Sequence, residues 1–244
     1  MWFWPMLYHY SGLRKLKIVL KSSLKWWPGF GWAMQHCGFI FLNRNIDEDK
    51  ETMESLLNYY KLLDYPVELL MYPEGTDFYP QAIESSNKFA RNNNLPEYKY
   101  CLHPRKTGFQ VLLSNLLKQN QIEFIQDVTI GYPKGCIANE KTMIFQGEFP
   151  EEVHFHVEKY AVSEVPQDWE GLGNWVENRF EAKETRLRDF YEKEEINRVF
   201  AKLENVERFE ERRLGMYGKV NFWCGKWVKL LFSGLNENFS VKMS

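Results

Sequence analysis

The stretch that decides the fold of this 244-residue chain is Leu69-Leu70-Met71-Tyr72-Pro73-Glu74-Gly75-Thr76-Asp77. Apolar residues dominate positions 67–72, and the run is too short for a helix of ordinary length. This pattern predicts a buried strand in a sheet that is covered on both faces. Pro73 ends the strand because it has no N–H to donate to a neighbouring strand.

The predicted strand is followed at once by a turn that carries a carboxylate, a glycine and a hydroxyl. Gly75 permits a backbone conformation that is closed to other residues. Glu74 and Thr76 flank it and present their side chains at the carboxyl end of the strand. Ligands bind at that edge of open α/β sheets, so the turn is a candidate binding site. A plain strand-ending turn is the alternative reading.

Strand and helix patterns alternate along the chain on both sides of this turn. Strand patterns occupy three further segments: 16–20, 38–44 and 122–132. Helical patterns occupy four: 22–32, 47–65 with Asp47 as its cap, 85–93 and 107–116. This alternation predicts an α/β fold with a largely parallel sheet flanked by helices.

The carboxyl-terminal third has a different pattern of apolar and charged residues. Residues 153–157 alternate so that His154 and His156 share one strand face, and a solvated or locally bonded face is favoured over a metal site because no third ligand suggests itself. A long amphipathic helix follows Pro166 and is expected to pack on the sheet. Residues 204–213 are dense in charges of both signs and predict a solvated helical extension.

Charge is unevenly distributed along the chain. The formal net charge of −2 gives no indication of nucleic-acid binding. The first acidic residue is Asp47, and it is preceded by the cations Arg14, Lys15, Lys17, Lys21, Lys25 and Arg44. Tryptophan, tyrosine and phenylalanine are interleaved with these cations. Lipid headgroups favour that combination, so the amino-terminal part predicts contact with a membrane surface. An aromatic-rich core with lysines at its rim is the alternative.

A set of motifs occurs in one order along the chain and resembles the glycerolipid acyltransferase family, of the 1-acylglycerol-3-phosphate acyltransferase type. The motifs are Lys21 with Leu24, Pro28 and Gly31; Gly38-Phe39-Ile40-Phe41-Leu42-Asn43-Arg44; Tyr72-Pro73-Glu74-Gly75-Thr76-Asp77; His103-Pro104-Arg105-Lys106-Thr107-Gly108-Phe109; and Asp127-Val128-Thr129-Ile130-Gly131-Tyr132-Pro133. The resemblance extends through 145–150, 153–157 and 184–191, to about residue 195.

The resemblance implies an enzyme that transfers an acyl group from acyl-CoA to the free hydroxyl of a lysophospholipid, of the lysophosphatidic acid or lysocardiolipin kind. Such a reaction serves phospholipid synthesis or remodelling. Acyl-CoA is the co-substrate, and no other cofactor and no metal is expected. The resemblance also implies a place at the membrane of the endoplasmic reticulum.

The same resemblance assigns substrate-binding roles to Arg44, Glu74, Gly75 and Thr76, and we add Lys21 from the first motif. The Arg44 guanidinium can meet phosphate oxygens with two donors. Gly75 allows a close approach to the backbone, and the Thr76 hydroxyl can donate to an oxygen. Glu74 is expected to accept from a glycerol hydroxyl or to hold Arg44 in place.

One motif of the family has no counterpart upstream of Lys21. This is H-x-x-x-x-D, whose histidine acts as general base on the acceptor hydroxyl and whose aspartate orients the imidazole. We expect Met1 to fall just after that aspartate, with an amino-terminal membrane anchor missing as well. The catalytic residues are therefore unknown, with His36 and His103 as weak replacements. Losing such a base costs about two to four decades in rate.

The domain prediction follows from where the resemblance stops. Residues 1–200 are expected to form the acyltransferase domain, without its amino-terminal motif and anchor. Residues 201–244 are expected to form a charged helix and an amphipathic tail able to associate with a membrane. Two other functions stay open: a catalytically inactive lipid- or acyl-CoA-binding protein or truncated isoform, and a peripheral membrane interaction module.

Overall fold

The computed structural model describes residues 15–43, 45–63, 67–135 and 150–200, together with the backbone of 211–214 and 237–243. The predicted substrate residue Arg44 lies outside these ranges, as do residues 204–210 of the predicted helical extension. The other predicted site residues, Lys21, Glu74, Gly75 and Thr76, lie within them.

A three-stranded parallel sheet forms the centre of the amino-terminal half. Strand β1 (Leu16–Lys21) lies between β2 (Ile40–Leu42) and β3 (Glu68–Leu70). Both neighbours run parallel to β1, with Val19 opposite Ile40 and Leu16 opposite Glu68. The predicted α/β fold with a parallel sheet is therefore confirmed.

Five α-helices surround and extend this sheet. They are α1 (Phe30–His36), α2 (Ile46–Leu62), α3 (Pro80–Asn92), α4 (Lys106–Lys118) and α5 (Trp169–Tyr191) among the described residues, and a 3-10 helix, Ser22–Trp26, follows β1. The cap of α2 differs from the prediction, because the Asn45 side chain accepts the N–H of Asp47 at 3.2 Å. Asp47 itself is thus the second residue of the helix.

The core of this half lies between the sheet and two of the helices. Buried residues of β2 and α2, among them Ile40, Met53 and Leu57, pack in one cluster with Leu112 of α4 and Leu172 of α5. The apolar spacing that predicted α2 and α4 is the face that covers the sheet. Helix α5 was expected to pack on the sheet. It packs against α4 and contacts the strand Phe124–Gly131 of a second sheet.

A second sheet contains the strands of the carboxyl-terminal part, in the order β4 (Phe124–Gly131), β5 (Glu152–Ala161), β7 (Glu237–Met243) and β6 (Glu211–Leu214). Strand β4 was expected near 122–132 and is present, but it pairs antiparallel with β5 rather than joining the parallel sheet. Residues 211–213 lie in β6, so the predicted helix is wrong there. The predicted domain boundary at residue 200 stays a prediction.

The two histidines of β5 are buried beside carboxylates of their own strand. Nε2 of His154 lies 2.9 Å from Oε1 of Glu152, and Nε2 of His156 lies 3.2 Å from Oε1 of Glu158. The strand face is thus locally bonded as predicted, although it is buried rather than solvated. Among the described residues, no three His, Cys, Asp or Glu side chains are grouped to hold a metal ion.

Glu158 joins β5 to α5 through a small polar network. Its two carboxylate oxygens accept from Nη2 of Arg186 and from the hydroxyl of Tyr160, each at 2.7 Å. The close approach of the His156 imidazole contributes most to lowering the pKa of Glu158 to about 2, against the effect of burial, and the Tyr160 and Arg186 contacts add to it.

The depressed pKa predicts a pH-dependent stability. A carboxylate with a lowered pKa stabilises the folded state above its unfolded pKa of about 4.3, and this contribution disappears as the pH falls through about 2. We expect the free energy of unfolding of the parent chain to exceed that of Glu158→Gln by on the order of 3 kcal/mol at pH 5 and above, where the unfolded carboxyl is ionised as well. The excess should shrink steadily towards pH 2.

Urea unfolding of both proteins across that pH range measures the excess. Glu181→Gln is the control, since Glu181 lies exposed on the same helix α5. A Glu158→Gln effect of the same size at every pH would contradict the prediction that the Glu158 carboxyl of the folded protein stays ionised down to about pH 2.

Candidate active site

The carboxyl ends of the three parallel strands meet at one edge of the sheet. Strand β1 ends at Lys21, β2 at Leu42 and β3 at Leu70. Lys21 pairs in register with Leu42 and is exposed, and the 72–76 turn leaves the same edge after β3. The topology therefore brings Lys21 and the Glu74-Gly75-Thr76 turn to one edge. The role predicted for Arg44 stays a prediction.

The turn after β3 has the backbone conformation that its glycine predicted. Gly75 has φ +70°, and its N–H donates to the carbonyl of Tyr72 at 3.1 Å. A side chain at this position would be strained, because L-residues rarely adopt positive φ. Gly75 and Thr76 are both exposed, so the turn is open to a ligand.

Arg105 lies directly beside Gly75. Its N–H donates to the carbonyl of Pro73 at 2.7 Å, which ties the turn to the residue that precedes α4. Its Cδ lies 3.0 Å and its Nε 3.2 Å from the point that a Cβ at residue 75 would occupy. The side chain is exposed, so a guanidinium stands next to the open glycine of the turn.

Glu74 faces the protein more than the solvent. Burial raises the pKa of its carboxyl, the Lys183 ammonium and a hydrogen bond with the backbone of Leu102 oppose that rise, and the Asp77 carboxylate adds to it. The hydrogen bond with Leu102 joins the turn to the segment that leads to Arg105, so Glu74 stabilises the position of the turn. Its predicted partners, a glycerol hydroxyl and Arg44, stay predictions.

The segment that leads to Arg105 is held by a carboxylate from α5. Glu184 accepts the backbone N–H groups of Lys99, Tyr100 and Cys101 at 2.9, 2.9 and 3.0 Å. Its side chain is only 2% exposed. A buried carboxylate that accepts three successive backbone N–H groups stabilises this segment in one conformation.

Sequence reasoning assigned no role to Arg105 or Glu184. In the sequence, Arg105 stands out only as part of the His103–Phe109 motif, although a cation just before a predicted helix is a usable signal. Glu184 falls in the apolar stripe of α5, between the buried residues Phe180 and Leu187. A carboxylate in such a stripe indicates a buried hydrogen-bonding role.

The two replacement histidines have positions that do not suit a general base at this turn. His103 is buried, stacks on Tyr98 with ring centroids 3.9 Å apart, and its Nε2 lies 2.9 Å from the carbonyl of Pro96. Burial lowers the pKa of His103. His36 ends α1, which leads to the amino end of β2 and therefore to the opposite edge of the sheet.

The fold and the turn together define an α/β protein with a candidate ligand site at the carboxyl edge of a parallel sheet. A family model described as "Acyltransferase" matches residues 1–131, and one described as "Acyltransferase C-terminus" matches residues 143–223. The chain belongs to the acyltransferase family. No solved structure matches it significantly.

Curated relatives share much of this chain. It is 46% identical to lysocardiolipin acyltransferase 1 of Gallus gallus over 79% of this chain and 50% of the relative. It is 38% identical to lysophosphatidylinositol acyltransferase 10 of Caenorhabditis elegans, over 91% of this chain and 59% of the relative. It is 32% identical to a probable 1-acyl-sn-glycerol-3-phosphate acyltransferase 5 of Arabidopsis thaliana, over 78% of this chain and 50% of the relative.

The chain spans about half the length of the curated relatives that it matches, 50% of lysocardiolipin acyltransferase 1 of Gallus gallus and 51% of that of Mus musculus. Among the helices of the described ranges, none combines the length and the apolar character needed to cross a bilayer.

Proposed function

We propose that this chain forms the substrate-binding part of an acyltransferase that esterifies a lysophospholipid, with acyl-CoA as the donor, at a membrane surface. The observation that carries the proposal is the exposed Gly75 turn with the Arg105 guanidinium beside it. The names of the relatives support it, because lysocardiolipin, lysophosphatidylinositol and 1-acylglycerol-3-phosphate all contain a glycerol phosphate and a free hydroxyl.

The edge of the sheet offers suitable donors for that acceptor. The planar Arg105 fork matches phosphate oxygens, and Lys21 supplies a second exposed cation at the same edge. Gly75 lets the ligand approach the backbone, and the Thr76 hydroxyl is placed to bond a glycerol oxygen. Glu74 holds the turn on Leu102, so its contribution is to keep these donors in position.

The chemistry required is one acyl transfer. The acceptor hydroxyl oxygen attacks the thioester carbonyl carbon, the carbon–sulfur bond breaks, and coenzyme A leaves as the thiol. A general base takes the hydroxyl proton, which then goes to the leaving sulfur. We assign binding and orientation, but not this proton transfer, to Lys21, Gly75, Thr76 and Arg105. Holding the acceptor in place lowers the barrier by removing motions that the free reactants would have to lose.

Transfer of labelled oleoyl-CoA to lysophospholipids in liposomes tests the proposal. We expect product from a version of the chain extended by an H-x-x-x-x-D segment, and at least about a hundredfold less from the chain as given, because a positioned base supplies about two to four decades. Equal rates would locate the base within the present residues. A lack of product from both proteins, with binding of lysophospholipid retained, would favour the lipid-binding alternative.

The same proposal places the protein at the endoplasmic reticulum membrane. Membrane fractionation of cells that express the tagged extended chain tests that location.

A further inference from the structure

We infer that Lys183 of helix α5 is a positioning residue of the candidate active site. Its ammonium balances the carboxylate of Glu74 and so keeps the Gly75 turn attached to the segment that leads to Arg105. The inference rests on the proposed function for the ligand that the turn would bind. The Lys183 side chain is only 13% exposed, so it acts on that ligand through Glu74 and not by direct contact.

The Lys183 ammonium is held by two acceptors on strand β4. Its Nζ lies 2.7 Å from Oδ1 of Asp127 and donates to the carbonyl of Val128 at 3.0 Å. The Asp127 side chain is as deeply buried as that of Lys183. A charge held at such depth acts strongly on other groups nearby, because little water screens it.

Glu74 and Lys183 both lie close to the buried thiol of Cys101. The Sγ atom of Cys101 lies 3.8 Å from the carbonyl of Phe180, which precedes Lys183 by one turn of α5. Burial raises the pKa of the Cys101 thiol, the carboxylates of Glu184 and Glu74 add to the rise, and the Lys183 ammonium opposes it. The thiol therefore stays neutral, and the charges that meet around it are those of Glu74, Glu184 and Lys183.

Glu74 needs a cation because its carboxyl is poorly solvated. Burial raises the pKa of this carboxyl, and the Lys183 ammonium opposes the rise more than the hydrogen bond with the Leu102 backbone does. A hydrogen bond to an ionised carboxylate is roughly twice as strong as one to a neutral acceptor. Loss of the Lys183 charge therefore favours the neutral acid and weakens the bond that ties the turn to Leu102.

The other charged groups described around the turn do not replace Lys183. The Asp77 carboxylate raises the pKa of Glu74 further. Glu184 carries the same sign of charge as Glu74 and is already bonded to three backbone N–H groups. Arg105 is a cation, but it is exposed, and water and salt screen its charge. Among the described residues, Lys183 is thus the cation that acts on Glu74 from the interior of the protein.

NMR titration of the Glu74 carboxyl in the full chain tests the inference directly, with the signal assigned by its loss in Glu74→Gln. Lys183→Gln should move the titration to higher pH and accelerate hydrogen exchange of the Leu102 amide, whereas Lys183→Arg should behave as the parent does. Lys193→Gln is the matched control, because Lys193 is exposed and also donates to a backbone carbonyl, that of Val199 at 3.3 Å. Titration of Glu74 at the same pH in the parent and in Lys183→Gln would overturn the inference.

A second variant covers the loss of stability that Lys183→Gln brings. Lys183→Gln leaves the buried Asp127 carboxylate without its partner, which destabilises a fold. Lys183→Gln/Asp127→Asn removes both charges of the pair and leaves no lone charge behind. Glu74 should titrate at higher pH in this double variant as well, because the ammonium is absent from it. A return to the parent titration would overturn the inference, since the ion pair would then serve only the fold.

Calorimetry with a short-chain lysophosphatidylglycerol connects the charge to the ligand site. Its phosphodiester keeps one charge between pH 6 and pH 8, so protein groups determine how binding depends on pH. We expect the ratio of Kd at pH 6 to Kd at pH 8 to be at least about threefold larger in Lys183→Gln than in the parent, because Glu74 takes up its proton sooner. Equal ratios would overturn the positioning role. A lack of binding by the parent would count against the proposed function alone, since the Glu74 titration and the Leu102 exchange need no ligand.

Discussion

Gly75→Ala is expected to weaken binding of a soluble lysophosphatidic acid by about 10- to 100-fold. The new Cβ would lie 3.0 Å from Cδ of Arg105, so that side chain must shift by a few tenths of an ångström and its guanidinium loses its alignment with the ligand phosphate. A hydrogen bond to a charged group contributes about 1.5–3 kcal/mol, and each 1.4 kcal/mol is about a factor of ten in affinity. The positive φ of +70° adds a cost in stability of about 1–2 kcal/mol.

Gly135→Ala separates these two effects. Gly135 has φ +87°, yet no atom lies within 4 Å of the place that its Cβ would take. This variant should lose a similar amount of thermal stability and keep its affinity for lysophosphatidic acid. Calorimetric titration and thermal unfolding of both variants make the comparison. Equal losses of affinity at the two glycines would show that backbone strain, and not Arg105, is responsible.

Substitution of Arg105 tests whether Gly75→Ala acts through the Arg105 side chain. Arg105→Ala alone should weaken binding about as much as Gly75→Ala. Because both changes remove the same contact, the double variant should bind little worse than either single variant. Additive losses would mean that Gly75 and Arg105 act on the ligand independently.

Glu184→Ala is expected to destabilise the fold by about 3 kcal/mol or more, because it leaves three backbone N–H groups without their acceptor. Native domains are stable by only about 5–15 kcal/mol, so this loss removes roughly a fifth to three fifths of the total. Glu184→Gln should lose less. Oε2 accepts from two of the three donors, and the amide oxygen can keep those two bonds.

Chemical denaturation and amide hydrogen exchange measure this series. Glu181→Ala, one turn earlier on α5 and exposed, should change neither. In Glu184→Gln the exchange of Lys99, Tyr100 and Cys101 should accelerate, while the buried amides of α2 stay protected. Lysophosphatidic acid binding should fall in that variant because Arg105 follows the loosened segment. Unchanged affinity with accelerated exchange would restrict Glu184 to a role in stability.

Local patterns were enough to predict the parallel sheet and the turn. The apolar run before Pro73 and the glycine after it report on their own backbone, and β3 with the positive φ of Gly75 followed from them. Pairing between distant segments is not encoded in this way. Strand β4 has the pattern of a buried strand in either direction, and no local pattern specifies its antiparallel pairing with β5.

The candidate site likewise contains residues that a local pattern predicts and contacts between distant segments that it does not. Glu74, Gly75 and Thr76 are contiguous and were predicted as a unit from their turn chemistry. The Glu184 contacts span 83 to 85 residues of sequence, so no local pattern could pair that carboxylate with its donors. The side-chain position of Arg105 beside Gly75 likewise depends on how α4 docks after β3, which spacing along the sequence does not specify.

The turn is held largely by its own main chain. The carbonyls of Tyr72 and Pro73 accept from Gly75 and Arg105, and neither bond depends on the identity of Thr76 or Asp77. Mutations at those two exposed positions can therefore accumulate over evolutionary time at little cost to folding. Exchanging these two residues would change the side chains offered to a ligand, while the frame around the glycine would stay intact.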